Sequence, residues 1–447
     1  MATRRETALR LFARHKDYMD DYVKNGIETN RKGFGRIAVT DENGNPIKGA
    51  TVKIKQKSHD FKFGCNIFML DEFENEEKNK KYREEFKKYF NYATVPFYWS
   101  DLEPEQGKPR YAKDSFKVYR RPSPDLCVEY CKKNGIRMKG HCLAYDTSSF
   151  TPSYISLRDP KEAKKQYEKH FAEVAARYAN DIEDWDITNE LLCPTSLDWS
   201  RNHPTLLREY DYLEWIYELA YKYFPYNGRL INEAAELGDR DFKENRTPYY
   251  MMVERLLNHG AKVTGVTVQA HSFRRQEQEA EFAAYRYNPV YIAAQAKLYS
   301  DFRLPTQISE VTLPAYGLEA ENEEVQAELV TNMYKMWFAS PNMEGIVYWN
   351  MVDGYAAWAP QGTLDGENYF CGGFMRYDMS VKPALKAYKA LIDEWQTSAD
   401  KTTDDGGECV FKGFYGKYDI EITTEKGTVT KEIHLDKYYE RPYFVTV

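Results

Sequence analysis

The sequence predicts an α/β protein in which eight parallel strands close into a (β/α)8 TIM barrel, with small β-rich additions at both ends. Strand-like and helix-like stretches alternate eight times between residues 61 and 396, and such alternation favours a parallel sheet with helices outside it. The chain has 447 residues, of which 42% are hydrophobic, which suits one large barrel with additions. No glycine-rich phosphate loop follows the first predicted strand, and this disfavours the alternative of an open, doubly wound sheet.

The individual elements rest on the spacing of apolar residues and on the residues that begin and end each run. A helix that begins at Asp159-Pro160 shows the pattern, with a capping residue, a first-turn proline and then apolar side chains three or four residues apart. The predicted strands are 61–68, 93–98, 137–143, 182–188, 228–232, 263–269, 306–311 and 345–349. The predicted helices are 75–90, 124–134, the one from 159 onwards, 206–224, 248–258, 290–299, 323–338 and 382–395.

Three segments make up the predicted domain organisation. Residues 1–60 form an appendage, with a helix at 2–25 followed by a strand, a turn and a second strand. Residues 61–396 form the barrel, and residues 408–447 form a strand-rich segment that is too short to stand alone. The small, polar residues of 397–407 indicate a linker. We expect the C-terminal segment to pack against the N-terminal β segment or the barrel.

Composition excludes several kinds of partner. The net charge is −7 and no basic block is present, so we expect no nucleic-acid partner. No apolar run reaches the roughly 18 residues that a membrane span needs. Residues Met1–Glu6 lack the apolar segment of a signal peptide, which leaves a secreted or periplasmic location open only if the chain has been trimmed, and a cytoplasmic one otherwise. The oligomeric state is not predicted.

The cysteines indicate neither a disulfide framework nor a metal site. There are seven of them at irregular spacing, and an odd, irregular set is not typical of a stapled fold. Cys127 and Cys131 lie four apart on a predicted helix with no second His or Cys pair nearby, so we interpret them as buried thiols. No metal and no cofactor are predicted.

Polar and aromatic residues stand where the predicted strands end, which is where a barrel carries its active site. Glu190 follows strand four and Glu310 lies on strand seven, so these two carboxyl groups are predicted to face each other across the mouth. The other residues at strand ends are His141, Asn189, Asn232, Glu233, Gln269, His271, Trp349 and Asn350. Each has a structural alternative, such as a core histidine for His141 or a surface acid for Glu310, but their joint occurrence at strand ends favours a site.

Two carboxyl groups among neutral hydrogen-bonding neighbours suit hydrolysis of a glycosidic bond. One gives its proton to the leaving oxygen while the other, ionised, attacks the anomeric carbon, and their environments must push their pKa values apart. A separation of about 5–5.5 Å predicts retention of configuration, and one nearer 9 Å predicts inversion. Trp349 and Trp358 offer flat faces to sugar rings.

Several motifs, in order along 61–395, resemble those of glycoside hydrolase family 10, the retaining endo-β-1,4-xylanase family. They are Lys139–Leu143, Trp185–Glu190, Gly265–His271, Ile308–Glu310, Val347–Asp353 with Trp358 behind it, and Tyr377-Asp378 followed by Lys382–Ala384. The resemblance implies that Glu190 is the acid/base, Glu310 the nucleophile and a β-linked glycan the substrate. The residues that it assigns to the −1 and neighbouring subsites are His141, Asn189, Gln269, His271, Trp349 and Trp358. Asn232 and Asp146 complete the predicted substrate-binding set.

The sequence departs from the family pattern around strands two and three. The family carries a Glu-Asn pair and a Lys after strand two, where this chain has Ala93–Trp99. It carries Trp-His after strand three, where this chain has Tyr145-Asp146. These departures predict a kept fold and retaining mechanism with an altered substrate, such as a decorated xylan or another β-linked glycan. Tyr98 and Trp99 favour stacking where the family uses polar contacts.

Two further functions remain open from the sequence. The chain is a carbohydrate-binding protein with impaired catalysis if the altered subsites have removed turnover, although a pure binder has no need of both glutamates. It is a barrel enzyme of another chemistry, for instance an aldolase, if a strand-end lysine acts. Lys139 is the candidate for that role, but it precedes His141 and has no evident partner in the sequence.

Overall fold

In a computed structural model of the chain, which describes residues 3–147, 149–192, 206–234, 244–438 and 441–447, eight strands close into a barrel. Strands are numbered along the chain, and those of the barrel are β3 (Lys62–Asn66), β4 (Tyr92–Pro96), β5 (Arg137–Ala144), β6 (Asp184–Asn189), β7 (Gly228–Glu233), β8 (Gly265–His271), β9 (Thr306–Thr312) and β10 (Met343–Tyr348). Each pairs in parallel with its neighbours, and β10 closes on β3. The predicted (β/α)8 barrel is confirmed.

Helices follow the barrel strands along the chain. They are α4 (Glu76–Tyr89), α6 (Pro124–Asn134), α7 (Pro160–Tyr178), α8 (Tyr212–Tyr223), α9 (Pro248–Asn258), α11 (Pro289–Ser300), α12 (Ala320–Ala339) and α13 (Pro383–Glu394), with the short α5 (Trp99–Leu102) and α10 (Glu279–Ala283) in loops. Short 3-10 turns occupy Leu206–Arg208, Glu244–Arg246, Gln276–Gln278 and Gly366–Phe370. The capping residue of α7 acts as expected, since the side chain of Asp159 accepts from the Glu162 N–H at 3.2 Å.

The N-terminal helix is not the single helix predicted for 2–25. It divides into α1 (Arg4–Ala8), α2 (Arg10–Arg14) and α3 (Lys16–Asn30), because the backbone leaves helical geometry at Leu9 (ψ 1°) and His15 (ψ 31°). The helix α3 packs on α12 so closely that a Cβ on Gly26 would lie 2.4 Å from the Ala339 carbonyl oxygen. The helices α1, α2 and α3 therefore pack against the outside of the barrel.

The segments on either side of the barrel join in one β-sandwich. One sheet has the order β12 (Glu408–Phe414), β1 (Lys32–Thr40), β15 (Tyr443–Thr446), and the other has β11 (Ser398–Thr402), β2 (Thr51–Gln56), β13 (Gly416–Thr424), β14 (Gly427–Leu435). They share a core that includes Ile37, Val52, Phe411 and Ile420. The C-terminal segment thus packs against the N-terminal one. The linker predicted at 397–407 is wrong, because residues 398–402 pair with β2 as an edge strand.

A network of charged side chains around the buried Lys62 and Asp184 closes the barrel at the amino ends of its strands. The ammonium of Lys62, at the start of β3, lies 2.6 Å from Asp184, 2.9 Å from Glu344 and 3.2 Å from Glu183. Tyr92 and Gln307 also donate to the Asp184 carboxylate, at 2.6 and 3.2 Å. Burial acts to raise the pKa of Asp184, but Lys62 and these donors outweigh it and lower the pKa.

Two further observations concern helices and thiols. Among the described residues, no helix has the length and apolarity that crossing a membrane would require. Cys127 and Cys131 are buried free thiols, as predicted. Cys193 lies outside the described residues.

Candidate active site

A cleft of about 310 Å³ opens at the carboxyl ends of the barrel strands, a size within the range of small-molecule sites. Eight of the ten predicted site residues line it, and these are His141, Asn189, Glu190, Gln269, His271, Glu310, Trp349 and Trp358. Asn232 lies beneath them and Asp146 lies outside the cleft lining. In the part of the chain that the structure describes, no three His, Cys, Asp or Glu residues are grouped to hold a metal ion.

Glu190 stands at the first position after β6, half-buried, with its backbone in the left-handed region (φ 54°). A non-glycine residue adopts this conformation at an energetic cost, and such residues cluster at functional sites. The Glu190 N–H donates to the Asn232 carbonyl at 3.0 Å, which ties the turn to β7. Its carboxyl group accepts from the Gln269 amide at 2.9 Å and from the Tyr145 hydroxyl. Both of its side-chain donors are neutral.

Glu310 lies within β9 and is only 3% exposed. One of its oxygens accepts from the Asn232 amide at 2.9 Å, and the other lies 3.0 Å from Nε2 of His271. Burial acts to raise the pKa of the Glu310 carboxyl, but the hydrogen bond from His271 and the nearby His141 and Lys139 outweigh it and lower the pKa. The carboxylate form is therefore favoured at this position.

Asn232 connects the two glutamates from below. Its Oδ1 accepts from the hydroxyls of Thr267 and Ser309 at 2.7 and 2.6 Å, which fixes the orientation of its amide. Its Nδ2 then donates both to Glu310 and, at 2.7 Å, to Oδ1 of Asn189. That oxygen of Asn189 is thus occupied, which leaves the Asn189 amide nitrogen to face a ligand in the cleft.

A buried cluster of three charged or titratable side chains lies on the β5 side of Glu310. Asp186 lies 2.8 Å from the Lys139 ammonium and 2.8 Å from Nδ1 of His141, and all three are at most 1% exposed. The other ring nitrogen of His141 is 4.0 Å from Glu310. The expectation that Lys139 has no partner is wrong, because its ammonium is paired with Asp186. An ion-paired ammonium is a poor nucleophile, and this disfavours an aldolase.

Aromatic rings form one wall of the cleft. Trp349 packs edge-on against His141 and His271, each at 5.7 Å between centroids, and against Phe68 at 5.3 Å. Tyr145 stacks on Phe150 at 4.3 Å. Trp358 is 75% exposed on the rim. A free aromatic face at the edge of a cleft suits the flat, partly apolar face of a sugar ring.

Asp146 occupies a closed pocket behind this wall. It is fully buried, and its two oxygens accept from the hydroxyls of Tyr167 and Tyr212. Burial raises the pKa of the Asp146 carboxyl to about 7. The structure therefore does not bring Asp146 together with the other predicted site residues, and its neighbour Tyr145 reaches the cleft instead.

Residues outside the predicted catalytic and substrate-binding set also build the site. Glu233, at the end of β7, accepts from the backbone N–H groups of Leu191 at 2.8 Å and Leu192 at 3.2 Å, and so holds the chain just beyond Glu190. Burial raises the pKa of Glu233 to about 8. Arg120, Arg121 and Glu367 line the cleft from loops, where no strand-end pattern points to them. Strand alternation is the signal that could have identified Tyr145.

A barrel with two glutamates held by amides, a phenol and an imidazole at its mouth defines a glycosidase-type protein. Residues 54–393 match the model of glycosyl hydrolase family 10, and the chain belongs to that family. The resemblance found in its motifs is thereby confirmed. The fold agrees with xylanase 10B from Thermotoga maritima (TM-score 0.58, 18% identity, covering 75% of this chain and 95% of that one). It also agrees with a xylanase 10C from Cellvibrio japonicus in complex with xylopentaose (TM-score 0.59, 16% identity, 75% and 68% covered).

Curated relatives carry two kinds of name. Anti-sigma-I factor RsgI6 from Acetivibrio thermocellus is 23% identical over 93% of this chain and 48% of its own length. Endo-1,4-beta-xylanase 2 from Arabidopsis thaliana is 22% identical over 96% of this chain and 36% of its own length. The chain thus spans about half or less of the length of these relatives.

Proposed function

We propose that the chain is a retaining glycoside hydrolase that cleaves a β-linked, xylan-like glycan by double displacement. The observation that supports this most is the Asn232 amide network, which holds Glu310 and, through Asn189 and Gln269, Glu190 in one cleft. The xylanase names among the relatives favour a xylan-like substrate.

In the first step of the proposed mechanism, the Glu310 carboxylate attacks the anomeric carbon. The bond to the leaving oxygen breaks as the Glu190 carboxyl gives that oxygen its proton. The lowered pKa of Glu310 supports its role as the ionised partner, although burial acts to raise it. In the second step a water gives its proton to Glu190, and its oxygen displaces Glu310 from the sugar, so that configuration is retained.

Each neighbour of the two glutamates has a role in the proposed mechanism. His271 and Asn232 fix the two oxygens of Glu310, so that a lone pair can be aimed at the ring. Gln269 and Tyr145 hold Glu190 without a fixed charge, which lets it both give and take a proton. The amide nitrogen of Asn189 is free to donate to a sugar hydroxyl. Trp349 closes the floor beneath the sugar and Trp358 covers the rim.

Two substitutions test the proposal directly. Glu310→Gln and Glu190→Gln keep shape and burial but remove the nucleophile or the proton donor, and we expect kcat on xylan to fall at least about 10⁴-fold in Glu310→Gln. Release of reducing ends from a panel of β-linked glycans measures this. Glu183→Gln, at the opposite end of β6, is the matched control and should keep turnover. Full activity in Glu310→Gln would refute the assignment.

A second candidate is a carbohydrate-binding protein without turnover. It is favoured by one observation, namely that a relative matching 93% of this chain carries the name of an anti-sigma factor. Glycan binding without reducing-end release, in the unsubstituted protein and across the whole panel, would establish this alternative. Hydrolysis of a β-glycan other than xylan would instead keep the mechanism and change the substrate.

A further inference from the structure

The wall of the cleft formed by the loop after β4 carries two consecutive arginines. Arg120 and Arg121 both line the cleft together with Phe68 and Tyr98. Arg120 is 3% exposed, and its backbone lies in the left-handed region (φ 60°). Burial of a guanidinium on a strained backbone is costly, and such residues concentrate at functional sites. A role as a solvated surface charge therefore does not explain the position of Arg120.

Neutral oxygens are the partners of the Arg120 guanidinium. It donates to Oδ1 of Asn350 at 3.0 Å and to the Tyr355 carbonyl. Its Nε is buried without a hydrogen-bond partner, and among the described residues no carboxylate forms an ion pair with it. Burial and the adjacent charge of Arg121 lower the pKa of Arg120. A buried cation without an ion-paired carboxylate, in a cleft that admits ligands, is suited to an anionic ligand.

Arg121 lies beside Arg120 in the same wall and forms an ion pair with Asp101. Its guanidinium lies over the Tyr98 ring at 3.9 Å from the centroid, and its Nε donates to Asp101 at 2.8 Å. Tyr98 also packs edge-on against His141, at 5.3 Å between ring centroids. Tyr98 thus contacts both the Arg121 guanidinium and His141, whose Nε2 lies 4.0 Å from Glu310.

Glu367 does not neutralise this charge. It lines the cleft, and its Oε2 is buried without a hydrogen-bond partner. Burial raises the pKa of the Glu367 carboxyl although Arg120 acts to lower it, which is the opposite of what a tight ion pair produces.

We infer that Arg120, in the wall that it forms with Arg121 and Glu367, binds an anionic substituent of the glycan, such as the carboxylate of a uronic acid attached to the backbone. A planar guanidinium matches a carboxylate with paired, charge-assisted hydrogen bonds. The aromatic rings beside it provide the face on which the substituent sugar stacks. The inference rests on the proposed function in one respect, since it takes a β-linked glycan as the ligand.

The competing explanation is purely structural. The two bonds of Arg120 connect the loop after β4 with the loop after β10, so the residue also fastens the rim of the cleft. A structural fastener would affect all ligands alike, whereas an anion site discriminates by charge. The experiment therefore compares two ligands of nearly equal shape, one anionic and one neutral.

Binding is measured by calorimetry in the full chain carrying Glu310→Gln, so that no turnover interferes. The ligands are a xylo-oligosaccharide with one glucuronic acid substituent and the same compound with its carboxyl reduced to an alcohol. We expect the acidic ligand to bind roughly 10-fold or more tightly, as charge-assisted hydrogen bonds imply, and the preference to shrink at high salt. Equal affinity for the two ligands would overturn the inference.

Two substitutions in the same Glu310→Gln background test whether Arg120 causes the preference for the acidic ligand. Arg120→Met keeps the stem and removes the charge, so the affinity ratio of acidic to reduced ligand should fall toward one. Arg120→Lys keeps the charge and should keep part of the ratio. A ratio unchanged in Arg120→Met would contradict the assignment, and thermal unfolding confirms that each variant is folded. Binding preference without hydrolysis in the unsubstituted protein would refute the proposed function alone, and hydrolysis without preference would refute this inference alone.

Discussion

The two ends of β6 carry carboxyl groups in opposite environments. At the amino end, Asp184 is held by the Lys62 ammonium at 2.6 Å, with Glu183 and Glu344 around the same cation. At the carboxyl end, Glu190 is held by an amide and a phenol. Both carboxyl groups accept more than one hydrogen bond, but only Asp184, at the amino end, is in contact with a cation.

This difference separates a stabilising network from a reactive one. A carboxylate whose lone pairs are taken by a buried cation is fixed in one protonation state, because the pair costs several kcal/mol to break. A carboxyl group with neutral donors keeps the freedom to gain and lose a proton. The same residue type on one strand thus serves the fold at one end and, in our proposal, the chemistry at the other.

Removal of the cation at the amino end should affect stability and spare chemistry. We expect Lys62→Met to lower the free energy of unfolding by about 3–5 kcal/mol, because buried carboxylates lose their counter-charge. Denaturant unfolding measures this loss, and kcat per folded molecule should stay unchanged. If turnover fell and stability did not, the division between the two ends would be wrong.

Asp146 provides a carboxyl group with neutral donors but no access to the cleft. Its pKa of about 7 in the folded protein, raised by burial, lies above the value of about 3.9 in an unfolded chain. The folded state therefore binds the proton more tightly, and the stability from this group is present at low pH and lost as pH rises from about 4 to about 7.

Asp146→Asn removes this dependence. We expect the unfolding free energy of the native chain minus that of the variant to fall, by up to about 4 kcal/mol, between pH 4 and pH 7. Chemical unfolding of both proteins at each pH measures the difference, in which the other titrating groups cancel. A difference independent of pH would show that Asp146 is already ionised in the fold.

At the carboxyl end, His271 should tune the candidate nucleophile. Burial raises the pKa of Glu310, and the hydrogen bond from His271 is the largest of the effects that lower it. His271→Leu should therefore raise that pKa and move the acid limb of the kcat/KM profile to higher pH. We also expect kcat/KM at its optimum to fall roughly 10–100-fold, the worth of one hydrogen bond to a charged group. An acid limb that stays in place would show that another group sets it.

The barrel was predictable because its signals are local. Capping residues, first-turn prolines and apolar periodicity located α6 and α9 at the bounds that the structure shows. The strand β11 could not be predicted from the sequence, because Ser398–Thr402 is polar and largely exposed. It forms only through its pairing with β2. The neighbouring β12 was missed although Cys409 and Phe411 alternate with exposed residues.

The candidate site also contains residues that the sequence could identify and residues that it could not. Residues at strand ends could be identified because a parallel barrel brings all such ends together. Asp146 was predicted to bind the substrate, but the direction of the chain after β5 places the Tyr145 phenol in the cleft and the Asp146 carboxyl group against Tyr167 and Tyr212. Arg120 and Glu367 lie in irregular loops, whose course depends on tertiary contacts such as the bond from Arg120 to Asn350.

In the proposed mechanism Glu310 forms a covalent bond with the sugar while Glu190 moves the proton. The most direct measurement is peptide mass mapping of the protein after reaction with a 2-deoxy-2-fluoro β-xylobioside that carries a good leaving group, since such a sugar accumulates the glycosyl-enzyme. We expect one sugar adduct per chain, attached to Glu310 and absent from Glu310→Gln. An adduct on another residue, or steady hydrolysis of xylan with inverted product and no adduct, would contradict it.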